Sequence, residues 1–109
     1  MIHKILDKID ALLAQSNLNP AQKKELDQLY QQLREELVIL AKTDPQNAKT
    51  IADFAAIATL EALRDDSNRD MTESVKERLM ESLETFETSH PKLANVLQTL
   101  ITHLSGIGL

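Results

Sequence analysis

The chain alternates apolar stripes at helical spacing with short polar breaks. Ile2, Leu6, Ile9 and Leu13 step by four, three and four, and Ile5 and Leu12 widen that face. This spacing predicts a helix over 2–16. After a short turn at residues 17–19, Leu26, Tyr30, Leu33, Leu37 and Leu40 step by four, three, four and three, predicting a helix over 20–43. Heptad steps on both sides of a short turn predict an antiparallel helical hairpin. A third helix is expected over 45–64, where alanine, the strongest helix former, recurs at 48, 52, 55, 56, 58 and 62. A fourth over 71–88 is two-faced, with Val75, Leu79, Leu83 and Phe86 on one side. A fifth over 91–105 carries Leu93, Leu97, Leu100 and Leu104. No run alternates with the period of a strand. The fold class is therefore all-α: a small bundle of about five helices in one domain over residues 1–109.

The breaks agree with the stripes. Pro20, Pro45 and Pro91 follow Asn19, Asp44 and His90, and proline is pre-organised for the first helical position. The stretch "DDSNRD", 65–70, is the most polar and predicts a mobile loop. Asp70 with Glu73 has the spacing of a capping box. Gly106 is placed to close the last helix in a left-handed cap, with Ile107 folding back on the final turn.

One segment is more apolar than a hairpin partner can cover. Leu37, Val38, Ile39, Leu40 and Ala41 are consecutive, so they encircle their helix, and they lie beyond the reach of the shorter first helix. The last helix has no charged residue after Lys92. Leu37, Val38, Ile39, Leu40, Leu93, Leu97, Leu100 and Leu104 are accordingly the expected surface for self-association, with a homo-dimer favoured.

Composition narrows the chemistry. The chain has no cysteine, which excludes disulfides, thiolate metal sites and cysteine nucleophiles. Its two glycines, Gly106 and Gly108, come too late for a phosphate-cradling loop, and no serine sits in a nucleophile elbow. The net charge of -5 falls wholly on residues 51–109. Nucleic-acid binding relies on a basic patch, so no nucleic-acid partner is expected. No run reaches the roughly 20 apolar residues of a membrane span, so no membrane partner is expected and the protein is read as cytoplasmic. No cofactor signature is present.

Three features could carry chemistry or recognition. Glu73, Glu77, Glu81 and Glu84 share one face of the fourth helix, with Glu87 one turn further. They form either a solvated stripe or an acidic docking face for a partner protein. Glu87 and His90 have the Glu-x-x-His spacing of di-metal bundles, but those sites use it twice, with glutamates from further helices. Pro91 follows directly. Phe86, Glu87, His90 and Pro91 therefore read as a helix joint, with His90 expected to bond a free backbone group or face the helix dipole. His3 and Asp7, one turn apart, predict a weak surface contact. His103 fits either a helix-packing or an interface role.

The series Phe86-Glu87-x-x-His90-Pro91-x-Leu93, followed by Leu97, Leu100, Ile101, Leu104, Ser105 and Gly108-Leu109, resembles the end of a bacterial family of short all-helical proteins of unknown function. The chain ends in Leu109 where that family usually has isoleucine. The resemblance implies a small cytoplasmic helical protein, makes the joint a family feature, and supplies no activity. The expected function is a non-enzymatic interaction or assembly protein that self-associates. The alternatives are a heteromeric regulator acting through the acidic face, and a metal-binding protein at Glu87 and His90.

Overall fold

Proline sets three of the five helix starts. In the computed structural model, which describes residues 2–64 and 69–109, α1 spans Ile2–Ala14, α2 Pro20–Ala41, α3 Pro45–Leu63, α4 Arg69–Phe86 and α5 Pro91–Ile107. Asn19 caps α2 by accepting from the Gln22 amide at 2.9 Å, and Asp44 caps α3 by accepting from the Asn47 amide at 3.2 Å. Each cap satisfies a first-turn donor that has no partner inside its helix.

Some expected ends move. The polar stretch does not reach as far as residue 70: Arg69 and Asp70 already form the first turn of α4. Asp70 is therefore inside the helix rather than at its cap, and the rest of the expected loop, 65–68, lies outside the described residues. Gly106 does not close α5 in a left-handed turn. The helix continues to Ile107, and neither glycine lies in the left-handed region. The amides of Gly108 and Leu109 both donate to the Leu104 carbonyl, at 3.0 and 2.9 Å. A Cβ on Gly108 would lie 2.8 Å from the Ala62 carbonyl oxygen. Close approach of the chain to the α3 backbone, rather than backbone handedness, is what position 108 requires.

The Ala-rich α3 is the central element. It packs against all four other helices, while α1 meets only α2 and α3, and α4 meets only α3 and α5. The outer helices thus follow one another around α3 in the order α1, α2, α5, α4. Ala48, Ala52, Ala55 and Ala58 are fully buried. With only a methyl group at each site, neighbouring backbones can come close on several sides at once. Among the described residues the two outermost helices, α1 and α4, do not touch, and no other helix covers α3 between them.

This arrangement corrects the expected self-association surface. Leu37, Leu40, Leu93, Leu97, Leu100 and Leu104 are each at most 1% exposed in the chain's own core. α2 outlasts α1, yet α3 and α5 also pack along it and cover the overhang. Of "LVILA", only Val38 and Ile39 face outward, at 38% and 48% exposure. α2 and α5 run antiparallel: His103 lies 3.6 Å from Glu25 at one end, and Lys92 borders Glu36 at the other.

One buried polar pair ties α2 to α3. Tyr30, 1% exposed, meets Thr59, 0% exposed, through their hydroxyl groups. Thr59 spends its single proton on the Ala55 carbonyl at 2.8 Å, so Tyr30 donates and Thr59 accepts. Burial keeps the Tyr30 phenol protonated well above its ordinary range. The pair should respond unequally to deletion. Thr59→Val leaves a buried phenol with no acceptor and should cost about 1–3 kcal/mol, whereas Tyr30→Phe leaves Thr59 bonded to Ala55 and should cost about 1 kcal/mol. Urea unfolding of both variants checks the order; equal losses would contradict it.

Candidate functional site

The joint between α4 and α5 is made by backbone. The His90 amide donates to the Phe86 carbonyl at 2.7 Å, and the His90 carbonyl accepts from the Ala94 amide at 3.1 Å. One residue therefore closes α4 and opens α5. Its side chain makes no cap bond. The ring instead lies edge-on to buried Phe86, with centroids 5.8 Å apart. Glu87 is exposed. Among the described residues, no group of three or more His, Asp or Glu side chains is placed to hold a metal ion.

The acidic face is where the spacing puts it. Glu73, Glu77, Glu81 and Glu84 are all exposed, and with Lys76 they surround Met80, which is 41% exposed. All of these side chains belong to one helix, so they form an open face and not an enclosed cavity. Arg78 lies 3.8 Å from Glu81.

Arg34 clasps the N-terminal hairpin. His3 and Asp7 do not pair with each other as expected; both meet this guanidinium from α2. Arg34 donates to His3 Nδ1 at 2.7 Å and to Asp7 Oδ1 at 2.9 Å, and lies 3.5 Å from Asp10 Oδ2. Partial burial raises the Asp10 carboxyl above its ordinary value; Arg34 opposes that shift, while Asp27 and Asp7 add to it. A raised carboxyl pKa means that the fold disfavours the ionised form. Its contribution to stability is therefore present at low pH and is lost as pH rises through the raised value. Asp10→Asn should raise the melting temperature at neutral pH, and the gain should vanish below about pH 4. A gain independent of pH would contradict this.

Sequence reasoning missed the groove between α1 and α3. Ala11 and Leu12 of α1 line it with Ala56, Ile57 and Leu60 of α3, and Lys8 and Gln15 stand on the α1 side. Ile57 and Leu60 are 38% and 42% exposed. They lie on the side of α3 that no other helix covers. The groove continues past Leu12, Gln15 and Leu60 toward the α1–α2 turn, where Asn17, Ser16 and Arg64 make it polar. Near this end, Glu61 is 5% exposed and pairs with Arg64 at 3.2 Å. Among the described residues its Oε2 has no hydrogen-bond partner.

Among the described residues, no helix is long and apolar enough to cross a membrane. No curated protein and no solved structure matches the chain. A family model described as a domain of unknown function (DUF4404) matches residues 26–109. That range holds most of α2 and all of α3, α4 and α5, including the central helix and the joint. The chain therefore belongs to the family of the domain of unknown function DUF4404.

Proposed function

We propose that the protein is a non-enzymatic assembly protein that associates with itself through an apolar surface. The observation that carries this reading is the open side of α3, where Ile57 and Leu60 meet Leu12 in a groove with an almost wholly apolar lining. Contiguous exposed apolar surface tends to mark an interaction site. The surface differs from the one expected of the sequence, because the leucines of α2 and α5 are already used inside the chain. In this reading the protein is cytoplasmic, the family is bacterial, and the Phe86–Pro91 joint is a family feature.

The test is solution mass by size-exclusion chromatography with light scattering across a concentration series. A mass above that of a 12.2 kDa monomer, growing with concentration, supports the reading. A monodisperse monomer throughout overturns it. The exposed glutamates around Met80 favour a second reading, a heteromeric regulator whose acidic face engages a basic partner. In that case the chain stays monomeric alone, and reversing Glu77 and Glu81 to lysine abolishes binding of the partner.

A further inference from the structure

We propose that the α1–α3 groove receives the outward face of α4 from a second copy of the chain, so that copies join head to tail. This rests on the self-association reading and names the two surfaces involved.

The groove has an apolar floor and a cationic edge. Ala11, Leu12, Ile57 and Leu60 supply the floor. Lys8 stands at the groove, with Lys4 one helical turn earlier on the same stripe. Both lysines are exposed, and neither has an ion-pair partner among the described residues. The occupant should therefore be a narrow apolar ridge flanked by negative charge.

The chain carries such a ridge. Met80 stands exposed on α4 with Glu77 three residues before it, Glu73 seven before and Glu84 four after on one side of the helix, and Lys76 is the cation among them. These three glutamates have no ion-pair partner among the described residues. Methionine is unbranched and polarizable, which suits insertion into a groove of mixed alanine, leucine and isoleucine. Burying Met80, Leu60 and Ile57 together would remove three of the exposed large apolar side chains from water.

Charge favours this arrangement over two symmetric ones. Ridge against ridge sets glutamates against glutamates, and an antiparallel groove-to-groove pairing sets the lysine-bearing edges together. Like-charge juxtaposition is costly. Groove against ridge brings opposite signs together. The two surfaces are different patches of one molecule, so every bound copy leaves a groove free at one end and a ridge free at the other. Such a contact propagates unless its rotation closes a ring.

The experiment is sedimentation or light scattering on the full chain at low and high salt, with two surface variants. The wild type should pass through several multiples of 12.2 kDa as concentration rises and shift toward monomer in high salt. Leu60→Glu removes the groove and Met80→Glu removes the ridge; each alone should be monomeric. Mixed, they should form a heterodimer that grows no further, because Leu60→Glu keeps its ridge and Met80→Glu keeps its groove. Should either variant fail to fold by circular dichroism, Lys8→Glu and Glu77→Lys take their places. A closed dimer that neither variant disturbs overturns the head-to-tail contact and leaves self-association standing. A monomer at every concentration overturns both.

Discussion

Truncation of Leu97 to alanine is expected to cost about 2–5 kcal/mol, a range typical of a fully buried leucine replaced without collapse of its surroundings. Leu97 is 0% exposed and lies on α5, which packs against α2, α3 and α4. The cost has two parts, lost transfer of apolar atoms from water and the void left behind. A helix held from three sides has little freedom to fill that void, which places Leu97 toward the upper end. Small domains have about 5–15 kcal/mol of stability in total, so the variant should unfold at far lower urea concentration. Ile39→Ala is the control. Ile39 is 48% exposed, and surface substitutions of this kind stay within about 0.5 kcal/mol. A similar loss in both variants would mean that Leu97 is not in the core.

Ala55→Leu is expected to be destabilising by about 1–3 kcal/mol or more, although it adds apolar volume. Ala55 is fully buried on the helix around which the others are arranged. A larger side chain there must push a neighbouring helix outward, and the displacement disturbs contacts well beyond the site. Its carbonyl also accepts from Thr59, so a shift of this turn strains the buried pair with Tyr30. The contrast is Ile57→Leu, two residues along the same helix but on its open side, which should be nearly neutral. Chemical unfolding of the two variants separates a packed methyl site from an exposed one; no loss at Ala55 would show that α3 is loosely surrounded.

These two predictions also mark how far the sequence could be read. The five helices were legible because their punctuation is physical: Asn19-Pro20, Asp44-Pro45 and His90-Pro91 each combine a non-helical residue with one that favours the first turn. The apolar faces were legible from spacing alone. What covers them was not. A stripe such as Leu93, Leu97, Leu100 and Leu104 shows that burial is needed, but the pattern is the same whether the cover comes from the same chain or another. The deciding element was α3, whose many alanines blur any stripe and hide its ability to hold four neighbours. The same blur concealed the groove. Along the open side of α3 the outward residues are Gln46, Asp53, Ile57, Leu60 and Arg64, a polar series interrupted by two large apolar side chains. That interruption was the available signal, and it is visible only once the outward side is known. The exposure of Glu73, Glu77, Glu81 and Glu84 was legible because these glutamates are confined to one side of α4. Arg34 was missed because its partners lie on another helix, 24 to 31 positions earlier in the chain.

The central place of α3 has a consequence for how the molecule breathes. Amide hydrogens exchange with solvent through local openings, and the openings that need the fewest contacts broken occur most often. α1 and α4 each rest on only two other helices, so either can lift while the remainder stays packed. α3 is packed against all four other helices, so unravelling it disrupts most of the core. In deuterated buffer the amides from Ala48 to Ala58 should therefore be the last to exchange, at a rate set by global unfolding, while those of α1 and α4 lose protection earlier and independently of each other.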